Sequence, residues 1–164
     1  MNLFGQHRVS YESIRRLTIE CFALNAAAHA LLKQSDYQDE HSRTLAAYEE
    51  LVSEKLLHLA IALRTKFYQG VDHRTTSGFL EDTGLFARFS PQHTKESLYT
   101  LKDVCDKIIH ASTVNVTIEE DWEAELLALY GQQTVAGKKE QWVLTLVVPA
   151  LCKAILGWLD ALEA

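Results

Sequence analysis

Asp106 and His110 are the two residues of this chain whose types and spacing best fit acid–base chemistry. They stand four positions apart in a segment of helical periodicity, so they face the same side of a helix, one turn apart. A carboxylate beside an imidazole orients the ring and favours its charged form, as a general acid or base requires. A purely structural pair has the same spacing, because the helix dipole and an acidic residue one turn earlier stabilise a terminal histidine. The sequence supports both interpretations.

Residues 105–110, Cys-Asp-Lys-Ile-Ile-His, resemble the Arg-Asn-x-x-x-His signature of the HEPN superfamily. These small helical proteins include RNases of toxin–antitoxin and phage-defence systems. The resemblance implies a helical bundle in which two subunits bring two such helices together to cut RNA. It covers this helix and, more loosely, the helical hairpin before it. Cys105 stands in place of the arginine and Asp106 in place of the asparagine, so the signature carries over only to His110 and Asp106.

The cysteine at position 105 bears directly on activity. In the family the arginine would hold a phosphate or stabilise charge that develops in the transition state, and a thiol does neither. We therefore expect a non-catalytic or weakly active binding module, linked through the resemblance to toxin–antitoxin or phage-defence systems, more than an enzyme. The alternative is a dimeric, metal-independent endoribonuclease that uses His110. In that case Arg64 or Lys107 would supply the missing positive charge at a phosphate-binding site.

Other clusters of polar residues favour ordinary solvated surfaces. Glu54 and His58 form a second acid–histidine pair, but the Glu-x-x-His spacing of helical di-metal sites does not occur. The acidic run 119–123 lacks the alternating ligands and the turn glycine of a calcium loop, which favours a solvated turn. The sequence has no phosphate loop, nucleotide fingerprint, zinc spacing or serine-nucleophile motif. We therefore expect no metal and no cofactor.

Composition narrows the class of protein further. The chain has 164 residues, of which 48% are hydrophobic, and its 7 Gly and 2 Pro argue against a turn-rich all-β fold. A net charge of −6 gives no general attraction to a phosphate backbone. Cys21, Cys105 and Cys152 lie among apolar residues, which is typical of buried free thiols in a reducing cytoplasm. No apolar run is long enough to span a membrane, and residues 1–10 lack the apolar core of a signal peptide.

Hydrophobic periodicity predicts a mostly α fold in a single domain, residues 1–164. Two long helices, at about 10–34 and 38–68, predict an antiparallel hairpin at the centre of a bundle. Residues 70–93 show no sustained period and receive no assignment. The helix that carries Asp106 and His110 is expected at about 94–111, with Thr94 as its N-cap.

The period changes from helical to alternating after that helix. Over about 113–148 we expect a β insertion, a small antiparallel meander of two or three strands with a polar loop at 131–139. The alternation is clearest at Trp142, Leu144 and Leu146, which share one face of the last strand.

A closing helix is predicted at about 149–163, with Pro149 in its first turn. This helix has few charges, so it is either deeply packed or paired with a second subunit. Its few charges lead us to expect a homodimer, and the resemblance implies twofold pairing across the helix that carries His110. If the closing helix is the interface, a charge at Leu156 or Leu159 should dissociate the dimer. A protein, RNA or a nucleotide is the further partner that the sequence suggests.

Overall fold

The described part of the chain in the computed structural model comprises residues 9–32, 43–69, 87–91, 100–117 and 126–164. Within it the helices and strands are, in chain order, α1 (Tyr11–Leu32), α2 (Arg43–Gln69), β1 (Ala87–Pro91), α3 (Leu101–Ile109), β2 (Thr113–Thr117), β3 (Leu126–Val135), β4 (Lys138–Val147) and α4 (Val148–Glu163). The mostly α fold with a small antiparallel sheet near the C-terminus is confirmed.

The helices pack side by side in the spatial order α4, α1, α2 and α3. Helix α1 contacts α2 on one side and α4 on the other, while α2 also contacts α3. The core face of α2 follows the helical period, and its buried residues are Tyr48, Val52, Leu56, Leu59, Ala60 and Leu63. Because α2 lies between α1 and α3, it supports the helix that carries the candidate site.

The sheet is antiparallel throughout, and its strand order is β1, β4, β3, β2. Strands β2, β3 and β4 form the predicted meander, and Trp142, Leu144 and Leu146 lie buried on one face of β4 as expected. Strand β1 adds a fourth strand beside β4, within the segment that showed no sustained period. Pro91 ends β1 at the edge of the sheet, where the missing N–H of proline is tolerated.

The β3–β4 hairpin corrects the prediction of a polar loop at 131–139. The two strands stay paired to Val135 and Lys138, so the turn consists of Ala136 and Gly137 alone. Both turn residues have positive φ, 48° and 80°, which suits a tight hairpin turn. The outer part of this hairpin is largely exposed, so its strands need no hydrophobic alternation and resemble a loop in sequence.

The start of α3 also differs from the prediction. Thr100 has an extended conformation (φ −75°, ψ 164°) and is the N-cap of α3, so no continuous helix runs from 94 to 111. The Thr100 hydroxyl accepts a hydrogen bond from the Asp103 N–H at 3.2 Å, and the Asp103 carboxylate accepts one from the Thr100 N–H at 3.1 Å. This capping box fixes the start of the helix at Leu101. Thr94, the predicted N-cap, lies outside the described residues.

Helix α4 begins and ends close to the predicted positions, with Pro149 in its first turn. Leu159 is fully buried in the core of its own chain, whereas Leu156 is only partly buried. Leu159 therefore cannot serve as an interface residue, since a charge there would disrupt the core. None of the helices in the described ranges has the length and apolarity that crossing a membrane requires.

Candidate functional site

Helix α3 presents one apolar and one polar side. Leu101, Val104, Cys105 and Ile108 are buried, which leaves Lys102, Asp103 and Asp106 on the more accessible side. The apolar side packs towards α2 and the sheet. The position of each polar side chain is therefore set by how α3 sits on α2 and on β3.

Asp106 is held by two positive charges, neither of which belongs to His110. Its Oδ1 forms an ion pair with Arg64 Nη1 of α2, and its Oδ2 lies 3.2 Å from Lys102 Nζ, one turn earlier in α3. The side chains of Arg64 and Asp106 are each 27% exposed, so this ion pair lies at the edge of the α2–α3 contact. The carboxylate that would orient a catalytic imidazole thus joins α3 to α2 through its contact with Arg64.

Arg64 is also in contact with Tyr68, one turn later in α2. Its Nη2 donates a hydrogen bond to the Tyr68 hydroxyl at 3.0 Å, and the guanidinium carbon lies 5.3 Å from the ring centroid. These two contacts and the Asp106 ion pair fix the guanidinium in place. Neither Tyr68 nor Lys102 belongs to the predicted site. Tyr68 lies four residues after Arg64 and Lys102 four residues before Asp106, and this spacing, which makes side chains neighbours on a helix, could have identified both.

His110 is the C-cap of α3 and is exposed. Its backbone N–H donates to the carbonyl of Asp106 at 3.1 Å, as in the last turn of a helix. Its imidazole forms no hydrogen bond or ion pair with any residue in the described ranges. The side-chain pairing of Asp106 with His110 that the spacing predicted is therefore not what the structure shows.

Cys105, at the position of the family arginine, faces away from this polar side. Its side chain is 1% exposed, and burial raises the pKa of the thiol well above its ordinary value. Burial likewise raises the pKa of Cys21 and of Cys152 to about 12. All three thiols are free and buried, as predicted, and a protonated buried thiol is a poor nucleophile.

Lys107 connects α3 to the sheet. Its Nζ donates to Gln133 Oε1 at 2.8 Å and lies 4.8 Å from the ring centroid of Trp142. Burial lowers the pKa of Lys107, as expected for an ammonium group partly removed from water. The hydrogen bond to Gln133 and the contact with Trp142 thus direct the Lys107 ammonium towards the sheet, whereas Arg64 reaches Asp106 from α2.

A small cavity of about 160 Å³ lies where α2, α3 and the sheet meet. Its lining is mostly apolar and includes Leu57, Ile109 and Val114, with Ser53, Ser112 and Thr113 as polar members. Asp106, His110 and Arg64 are not among the lining residues. The cavity therefore offers no charged group for acid–base chemistry on a molecule inside it.

Two further predicted surface features are the Glu54–His58 pair and the acidic run 119–123. Glu54 and His58 lie side by side and exposed on α2, with Nδ1 and Oε1 3.9 Å apart, as expected for a solvated helix face. Within the described ranges no group of three or more His, Cys, Asp or Glu side chains is placed to hold a metal ion. The acidic run 119–123 lies outside the described residues.

Comparisons with known proteins found no match to the chain among family models, curated proteins or solved structures.

Proposed function

We propose that the chain is a non-catalytic or weakly active binding module whose partner is a protein. The observation that carries this proposal is the position of the Asp106 carboxylate, which contacts Arg64 and Lys102 and leaves His110 exposed without an orienting group in the described residues. General acid–base catalysis by His110 needs a positioned imidazole and, for RNA cleavage, a cation at the phosphate. Among the described residues, neither an orienting carboxylate nor a cation is paired with the His110 imidazole.

A protein partner is favoured over a nucleic acid by charge and by the outer side of α2. The net charge of −6 disfavours a phosphate backbone. Leu57, Ile61 and Tyr68, here called the α2 stripe, recur along α2 outside its set of buried core residues. They are 37%, 46% and 57% exposed, respectively. Large apolar side chains grouped on one exposed helix face are typical of protein-interaction surfaces.

The resemblance of residues 105–110 to the HEPN signature suggests the biological setting. In a toxin–antitoxin or phage-defence system, the protein bound at the α2 stripe would be the other member of the pair. We place the chain in the cytoplasm on the strength of its three free cysteines. We also propose that it forms a homodimer, as the sparse charges of α4 suggest.

One observation favours the alternative, a dimeric metal-independent RNase. Arg64 brings a guanidinium from α2 to Asp106, one helical turn before His110. The guanidinium of Arg64 could replace the missing arginine if its ion pair with Asp106 opened when RNA binds. This alternative predicts RNA cleavage that depends on His110.

Substitution of Ile61 by glutamate tests the proposed protein partner. Because Ile61 lies in the middle of the α2 stripe and is 46% exposed, Ile61→Glu should keep the fold and weaken partner binding at least tenfold. The tagged chain is used to isolate bound proteins from cells of its source, and the purified partner is then titrated calorimetrically against each variant.

Thr134→Glu is the matched control, since it introduces the same side chain at an exposed position of the β3–β4 hairpin. The control should bind the partner like the wild type. Equal partner affinity of Ile61→Glu and the wild type would contradict the α2 stripe as the binding surface. Isolation of RNA in place of protein would contradict a protein partner.

A further inference from the structure

The outer face of α4 has a charge pattern that is complementary to itself. Lys153, Leu156, Gly157 and Asp160 follow the spacing i, i+3, i+4, i+7 and so form one stripe, here called the α4 face. Lys153, Gly157 and Asp160 are exposed and Leu156 is partly buried, so the stripe points away from the core. Its positive and negative charges stand at opposite ends, with the leucine and the glycine between them.

We propose that the α4 face binds the α4 face of a second copy of this chain, with the two helices antiparallel across a twofold axis. This proposal rests on the homodimer proposed above and specifies where and how it forms. In an isologous interface, residue i contacts residue j of the partner and j contacts i. With the axis between Leu156 and Gly157, Lys153 faces Asp160 of the other copy, and this pair occurs twice.

The centre of the α4 face is complementary in shape as well. A Cβ built on Gly157 has no atom within 4 Å, so there is open space above this glycine. The same antiparallel register places the Leu156 side chain of one copy over Gly157 of the other. A small residue opposite a large one allows two helices to approach closely and to interdigitate.

Helix α1 extends this surface beside α4. A groove of about 480 Å³ runs between the two helices, and its lining includes Ile19 and Phe22 of α1 with Leu156 of α4. Ile19 is 58% exposed and Phe22 is 49% exposed. These side chains would be covered by the second copy and would add apolar contacts around the central leucines.

Asp160 can take part in this contact while it keeps its partner within the chain. Its Oδ1 lies 2.8 Å from Arg15 Nη2 of α1, yet its side chain is 68% exposed. A carboxylate accepts several hydrogen bonds, so the ammonium of Lys153 from the other copy can join the same group. Lys153 forms no ion pair with residues of its own chain in the described ranges.

The arrangement differs from the one that the HEPN resemblance implies. Helix α4 packs on α1, whereas α3 packs on α2 at the other end of the helix layer. Pairing through α4 therefore keeps the two copies of His110 apart. A dimer of this kind provides two separate α2 stripes and no shared cleft around His110.

Charge reversal at the two ends of the α4 face provides the test. Lys153→Glu sets glutamate against Asp160 twice in its homodimer, and Asp160→Lys sets lysine against Lys153 twice. Each variant alone should raise the dimer Kd by roughly a hundredfold, because like charges face each other at both ends. An equimolar mixture restores both opposite-charge pairs and should form a heterodimer with nearly wild-type affinity. Sedimentation velocity over a micromolar concentration series measures all four samples.

Gly157→Gln is a third variant, since its side chain has room in the monomer but fills the space for Leu156 of the other copy. It should remain monomeric with an unchanged far-UV circular dichroism spectrum. A monomeric wild type would overturn the homodimer itself. If the wild type and all three variants are dimeric, the homodimer stands but the α4 contact is overturned. Pairing through α3, which the resemblance implies, would then be the expected interface.

Discussion

Replacing Cys105 by arginine, the residue of the HEPN signature, should destabilise the protein by more than about 4 kcal/mol. The Cys105 side chain is 1% exposed, and its helix buries Leu101, Val104 and Ile108 on the same side. An arginine there would place a large charged group in an apolar core whose described buried residues include no carboxylate. Because domains of this size are stable by only about 5–15 kcal/mol, much of this variant should be unfolded.

His110→Arg is the matched control for the arginine at position 105. It introduces the same side chain into the same helix, but at the exposed C-cap, where a positive charge interacts favourably with the helix dipole. Its free energy of unfolding in urea should stay within about 0.5 kcal/mol of the wild type. A well-folded Cys105→Arg protein would contradict the burial of position 105 in the core.

Gly131→Ala should lower the free energy of unfolding by about 3 kcal/mol, at the upper end of the range for overpacked cores. Gly131 is paired with Trp142 across the β3–β4 hairpin, and the indole ring lies over the glycine. A Cβ at this position would come within 2.8 Å of three atoms of the ring. Trp142 is 1% exposed, so its ring cannot move aside without disturbing the core and the contact with Lys107.

Gln132→Ala is the control, since it introduces alanine at the next position of β3, where the side chain is exposed. Far-UV circular dichroism in urea avoids a signal from the indole itself. The control should change stability by no more than about 0.5 kcal/mol. If the clash is the cause, Trp142→Leu should remove much of the further loss due to Gly131→Ala. A simple sum of the two single effects would contradict this explanation.

The elements that the sequence predicted are those whose pattern is set by burial on one side. The helical period of α2 and the alternation of Trp142, Leu144 and Leu146 both reflect one face against the core. The outer β3–β4 hairpin is exposed on both faces, so burial leaves no pattern there and the sequence predicted a polar loop. Strand β1 depends on pairing with β4, more than fifty residues later, which local sequence does not encode.

Local sequence likewise predicts only part of the candidate site. The Thr100–Asp103 capping box could have been found from its spacing, which is typical of a helix start. The ion pair of Arg64 with Asp106 could not, because the two residues are 42 positions apart and meet only when α2 packs on α3. Because of that contact, the Asp106 carboxylate pairs with Arg64 and not with His110. The four-residue spacing of Asp106 and His110 put them on one helix face but did not determine their partners.

The exposed position of His110 also changes the expected effect of removing it. A structural pair with Asp106 would make His110→Ala cost roughly 0.5–2 kcal/mol through the lost dipole interaction and the lost acid–base pairing. With the carboxylate held by Arg64 and Lys102, only the dipole interaction remains. We expect a loss of no more than about 0.5 kcal/mol, so the variant is a well-folded reagent for testing catalysis.

Cleavage of a labelled single-stranded RNA, with a chelator present, by the purified wild type and by His110→Ala tests the central claim most directly. We predict that neither protein cleaves above the level of the buffer blank, because no carboxylate in the described residues orients the His110 imidazole and Cys105 stands in place of the motif arginine. Robust cleavage by the wild type that is lost in His110→Ala would contradict the account and establish the RNase alternative.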